Sequence, residues 1–143
     1  MGTQQILLIV LSVIIVGVAI AVGITMFSNQ AYNANQQAVS GELQNYASQV
    51  IQFYKTPTSQ GGAGQDSTNV STTNVATFIG FTGTSSSLTT DNGEFRVTGA
   101  SGNTVTLKGL GKELKSAKYP LVTTTVSLAA GTISSTVSSG TGF

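Results

Sequence analysis

Five carboxylates, Glu42, Asp66, Asp91, Glu94 and Glu113, are the acids available for chemistry in this chain, and there is no His and no Cys. Imidazole and thiolate chemistry therefore have no carrier. The carboxylates are spread along the chain without catalytic or metal-ligand spacing. Asp91-Asn92-Gly93 looks like a fragment of a calcium loop, but the acidic positions that would follow are missing, and Asp-Asn-Gly reads as a turn. Gly61-Gly62-Ala63-Gly64 looks like part of a phosphate loop, yet no Gly-Lys-Ser/Thr follows and no helix begins directly after it. Lys108, Lys112, Lys115 and Lys118 form a weak basic run that reads as a solvated face. Tyr32, Tyr46, Phe53 and Tyr54, with Phe27, suggest an aromatic path, but at helical spacing such residues read as packing. Asn69-Val70-Ser71 fits the N-glycosylation pattern. These observations point away from an enzyme and imply no cofactor and no metal.

Composition points the same way. Charged residues make up 8% of the 143, against roughly 25% in an ordinary soluble domain. A net charge of +1 leaves no electrostatic footprint for specific nucleic-acid binding. After Gln30 Ser, Thr, Asn, Gln and Gly dominate the polar residues. Such an uncharged, hydrogen-bonding surface allows copies to pack side by side without mutual repulsion. With no disulfide to draw on, stability has to come from packing and assembly.

The elements that carry this surface start with an apolar run. Between Ile6 and Ile24 only Ser12, Gly17 and Gly23 interrupt aliphatics and alanines. As a helix this run is about 28 Å long, close to the roughly 30 Å hydrocarbon core of a bilayer. Ala19-Ile20-Ala21 resembles a signal-peptide cleavage site, but no Lys or Arg precedes it to form the positive n-region. No breaker follows the run until Pro57. Val39, Leu43, Tyr46, Val50 and Phe53 recur at spacings of four and three, with Ala47, Ile51 and Tyr54 widening the stripe. The pattern predicts one helix from Met1 to about Tyr54, roughly 75–80 Å long, apolar all round at first and on one stripe later.

Ile6–Ile24 running into the amphipathic stretch through Tyr54, ahead of a small β-rich domain, resembles the type IV pilin family, pseudopilins and archaeal filament subunits included. The resemblance implies removal of a short basic leader by a prepilin peptidase, membrane storage, and export by a pilus assembly machinery. It also implies that the apolar helices of identical subunits bundle into the core of an extracellular filament. The residues that would pack there are Ile6, Leu7, Ile9, Val10, Leu11, Val13, Ile14, Ile15, Gly17, Val18, Ile20, Gly23 and Ile24. Two features depart from the bacterial pattern: Gln5 stands where a glutamate is usual if Met1 is the mature start, and the leader with its basic flank is absent, as expected of a processed chain. Nor does a proline lie near Gly17 or Gly23, where the helix partly unwinds in many bacterial filaments. Those glycines read as points of close helix approach, the alternative being that the helix loosens there.

After the helix, residues 56–74 read as a loop, and Asn74 to Phe81 as either a short helix capped by Asn74, with Val75, Phe78 and Ile79 inward, or a short strand. Four strands are expected: 93–100 and 104–110 joined through Ser101-Gly102-Asn103, then 121–129 and 131–139 joined around Ala129-Ala130-Gly131. Phe95, Val97, Val105, Leu107, Val122, Val126 and Ile133 would then face the stripe from Val39 to Tyr54. The expected class is α+β: a long N-terminal helix packed by its C-terminal half on a small four-stranded antiparallel sheet. Its segments are an apolar helix over 1–28, an amphipathic continuation over 29–55 and a head over 56–143. The function this suggests is that of a major pilin, a homopolymer embedded in the membrane before assembly, serving adhesion or motility. A pseudopilin of a secretion system and a membrane-tethered binding domain are the alternatives.

Overall fold

The computed structural model describes residues 2–143, so the expected helical start at Met1 lies outside the described residues. The helix, α1, spans Gly2–Lys55 without a break. At 1.5 Å per residue that is a rod of about 80 Å. It runs straight through Gly17, Gly23 and Gly41, which leave open space around their Cα atoms. Termination is local: Thr56 still donates to Gln52 O, and Pro57 then removes the next donor.

Two short 3₁₀ turns, Thr58–Gln60 and Ser67–Asn69, lead to α2 at Thr72–Ile79. The cap of α2 is Ser71 and not Asn74: the Ser71 hydroxyl accepts from Asn74 N–H at 3.2 Å, and Gly80 closes the other end at φ 84°. Val75, Ala76 and Ile79 are buried, while Phe78 packs from the rim, its ring 5.4 Å from that of Phe53.

The sheet has five strands rather than four, all antiparallel and in chain order: β1 Ser87–Thr89, β2 Gly93–Ser101, β3 Thr104–Gly111, β4 Tyr119–Ser127 and β5 Thr132–Gly140. The additional strand, β1, is three residues with Leu88 as its one large apolar side chain, too short for a period to show. A register shift between Val97 and Gly99 bends β2 against β3.

One face of this meander lies on the second half of α1. Val39, Leu43, Ala47, Val50 and Phe53 are buried there with Phe95, Val97, Val105, Leu107, Val122, Val126 and Leu128. Tyr46 is half-buried and meets Phe81 and Phe95 edge to face at 4.9 and 5.3 Å. At Gly109 the helix packs tightly on the sheet: a Cβ there would stand 2.7 Å from Val39 and 2.9 Å from Phe95. Ile133 departs from the expected face-to-face packing. It sits on edge strand β5, beyond the width that one helix covers, and is 38% exposed. Beside it Thr124 is fully buried and shares a 2.9 Å hydrogen bond with Ser135.

Candidate functional site

The residue types with chemical potential are used to hold the fold. Glu42 accepts from the Thr90 hydroxyl at 3.2 Å and from the Asn92 side-chain amide, so the Asp91-Asn92-Gly93 turn is pinned to α1. Glu94 pairs with Arg96 at 2.9 Å, and the Arg96 guanidinium lies over the Phe143 ring. Asp66 accepts from the backbone N–H and the hydroxyl of Thr68, and these bonds hold its carboxyl below the usual range. Burial pushes the Tyr46 phenol up, and the nearby Glu42 charge pushes it further, so it stays neutral. Among the described residues no three His, Cys, Asp or Glu side chains come together as a metal site would require.

The glycine-rich stretch after α1 caps the helix. Ala63 N–H donates to Phe53 O at 2.9 Å, Gly64 to Thr56 O at 2.8 Å and Gln65 to Tyr54 O at 2.8 Å. Gly62 packs so tightly that a Cβ would fall 2.1 Å from Thr56 O. These amides are spent on carbonyls at the negative end of a long helix, the opposite of a phosphate cradle. Asn69 is half-buried, with its Nδ2 donating to Ala63 O at 3.1 Å, so the glycosylation pattern lies in a packed turn. The recess beside it, about 480 Å³ and lined by Phe53, Thr58, Asn69, Asn74 and Phe78 among others, carries no charged side chain.

The aromatic residues do not line up as a path. Tyr46 belongs to the core with Phe81 and Phe95, Phe53 pairs with Phe78, and Phe27 stands 73% exposed on the far part of the rod. The basic run divides as well. Lys108 pairs across from Arg96 on the outer face of the sheet, whereas Lys112, Lys115 and Lys118 project from the β3–β4 loop.

What remains is the helix surface itself. Every residue from Gly2 to Ser28 is exposed, including Ile6, Leu7, Ile9, Val10, Leu11, Val13, Ile14, Ile15, Val18, Ile20 and Ile24. The best 18-residue window of α1 has a mean hydropathy of 3.2 with none of it buried, so the helix is long and apolar enough to cross a membrane; a signal sequence has the same character. Gly17 opens a shallow notch between Val13, Val16 and Ile20. The head begins at Tyr32, the first buried residue of α1. Asn35 then fastens it: its Nδ2 donates to Asn92 O at 2.8 Å, and its Oδ1 accepts from the backbone N–H of Lys112 at 2.9 Å and of Glu113 at 3.3 Å. Asn35 does not stand out in the sequence, and Glu42 does so only as one of five scattered carboxylates. The signal for both was their place beside the apolar stripe, seven residues apart and so on one face of the helix.

The fold thus defines an α+β protein in which one helix is half core layer and half bare apolar rod. Compared with protein-family models, with curated proteins and with solved structures, the chain matches none.

Proposed function

We infer that this chain is the structural subunit of an extracellular type IV pilus-like filament, polymerising through the first half of α1. The observation that carries the reading is the division of labour along one unbroken helix. From Val39 to Phe53 it completes the head's core, while from Gly2 to Ser28 it buries nothing within its own chain. Fourteen large aliphatics lie between Ile6 and Ile24. At about 1.5–3 kcal/mol each against water, their burial is worth about 20–40 kcal/mol, which no monomer in water recovers. Lipid hides this surface before assembly, and equivalent helices of neighbouring subunits hide it afterwards, so the exchange between the two is nearly balanced. The low charge of the head supports close lateral packing.

The prepilin peptidase, the assembly machinery and a role in adhesion or motility follow from the resemblance to pilins. Negative-stain microscopy of the purified chain after detergent removal tests the reading. Uniform filaments of constant width are expected. A dispersed monomer, or amorphous material that never orders, would turn the reading toward a tethered binding domain.

A further inference from the structure

We propose that the β3–β4 loop is a second membrane contact, which lays Lys112, Lys115 and Lys118 on anionic phospholipid headgroups while α1 is embedded. The proposal rests on the membrane-stored state of the function above, and it adds a lipid preference that the apolar helix cannot supply. Between β3 and β4 the chain leaves the sheet and runs along α1 toward its bare half. There Leu114 and Lys115 face Ile24, Thr25 and Ser28 across a recess of about 520 Å³. The loop therefore ends level with the last residues of the apolar run, where hydrocarbon gives way to headgroups.

Three observations fit a lipid surface. First, the loop is presented as a built hairpin: Lys115 and Lys118 exchange both backbone hydrogen bonds, at 2.9 and 3.0 Å, around Ser116 and Ala117. Lys112 Nζ donates to Thr90 O at 2.7 Å, and Lys115 Nζ lies 5.8 Å from the Tyr32 ring, so the base of the loop is anchored on the head and on the helix. Second, charge is concentrated there. Residues 112–118 hold three lysines and one glutamate, and the described ion pair, Arg96–Glu94, lies elsewhere. Third, Leu114 is 49% exposed on the arm of the loop, between Glu113 and Lys115, on the side that faces Ile24. A basic loop with one exposed leucine, beside an aromatic residue and the end of an apolar span, has the makeup of an interfacial contact.

Each lysine near an anionic surface is worth roughly a 5-fold change in the docked-to-undocked ratio, and the effect is confined to about a Debye length, near 8 Å at physiological salt. The chain has no cysteine, so Ser116→Cys gives a unique labelling site. With the full chain in vesicles of phosphatidylcholine alone, or with about one third phosphatidylglycerol, a fluorophore at this position should be quenched by headgroup-level nitroxide lipid far more in the anionic vesicles. The excess should fall roughly 5-fold on Lys118→Gln. It should vanish in the triple variant Lys112→Gln, Lys115→Gln and Lys118→Gln, and in 1 M salt. Equal quenching in both vesicles, or an excess that survives the triple variant, overturns the loop contact. So does protection that rises with protein-to-lipid ratio irrespective of lipid charge, which would mark a second copy of the chain as the partner. Carbonate extraction run alongside keeps the two readings apart. Chain that stays in the pellet without a lipid-charge response refutes the loop alone, whereas chain that washes out refutes the membrane-stored state and the proposal with it.

Discussion

Glu42, on the long helix, accepts a hydrogen bond from the side-chain amide of Asn92, fifty residues further along the chain. The same turn is held from a second point, since Asn35 donates to the Asn92 carbonyl at 2.8 Å. Two helix positions two turns apart thus grip one loop, and Asn35 also accepts from the first amides of the β3–β4 loop. The head is joined to the rod by apolar packing in the middle and by polar clamps at the end nearest the bare helix.

The first prediction concerns those clamps. Asn35→Ala removes three hydrogen bonds, of which two satisfy loop amides that are near water. At about 1 kcal/mol per bond, and less where water substitutes, the cost should be about 1–2 kcal/mol. Glu42→Ala should cost a similar amount and Glu42→Gln clearly less, because the amide still offers an oxygen to Asn92. Thermal unfolding of the detergent-solubilised chain, followed by circular dichroism, measures this. Equal losses for Glu42→Ala and Glu42→Gln would show that the carboxylate charge, and not the acceptor, matters.

A second prediction follows from the close apolar contact of helix and sheet at Gly109. Gly109→Ala places a methyl group 2.7 Å from Val39 and 3.0 Å from Leu43, both fully buried. Overpacking of this kind costs about 1–3 kcal/mol. Adding Val39→Ala should recover part of the loss by making room, although that substitution alone is destabilising. If the double variant is as unstable as the sum of the singles, the clash is not the cause.

The third prediction raises stability. Ser116 and Ala117 form the tip of the β3–β4 hairpin at φ 51° and 61°, a left-handed conformation that costs an L-residue about 1–2 kcal/mol. Two-residue hairpin turns with both central φ positive favour Asn-Gly. Ala117→Gly should therefore stabilise the head by about 0.5–1 kcal/mol, with part of the gain lost to the greater freedom of glycine in the unfolded chain. An unchanged or lower melting temperature would mean that the tip does not hold this turn in solution.

How far the sequence could be read depended on whether a periodic pattern was present. The four-and-three spacing of Val39, Leu43, Tyr46, Val50 and Phe53, with no breaker before Pro57, is enough to imply a helix with one buried stripe. Alternation in Phe95, Val97, Val105 and Leu107 likewise implies strands with one covered face. β1 escaped because three residues cannot display a period; it exists because Leu88 pairs with Phe95 on the exposed edge of β2. Ile133 misled because alternation reports the side of a strand, not how far along the sheet its covering helix extends. The polar clamps were illegible for a different reason. Asn35 and Glu42 look like any solvent-facing helix residues until the loops that meet them are placed. The bare half of the helix was plain in composition, but that its own head leaves it uncovered is a fact of the tertiary structure.

The fourth prediction separates the two halves. A chain beginning at Asn29 should be a soluble monomer with the sheet intact, since the buried helix positions run from Tyr32 to Phe53. Circular dichroism and size-exclusion chromatography check it. A truncated chain that still forms filaments would assign polymerisation to the head.

The last prediction places a charge in the middle of the bare rod. Leu11 and Ile15 are 52% and 59% exposed in the single chain and lie before Tyr32, the first buried residue of α1, so Leu11→Asp or Ile15→Asp leaves the head's core untouched. In a bilayer an aspartate at the helix centre costs about 2.5–3.5 kcal/mol on insertion scales, which lowers the embedded fraction without abolishing it. A helical bundle is harsher. Every subunit would bring the same carboxylate into a dry core, and no side chain before Glu42 carries a charge to pair with it. Filaments should therefore disappear while a measurable part of the subunit still sediments with membranes, and the melting temperature of the head should not change. A tethered domain with no helix partners would tolerate the substitution once inserted. Counting surface filaments against membrane-fraction subunit distinguishes the cases, and normal filaments at normal subunit levels would exclude this segment from the filament core.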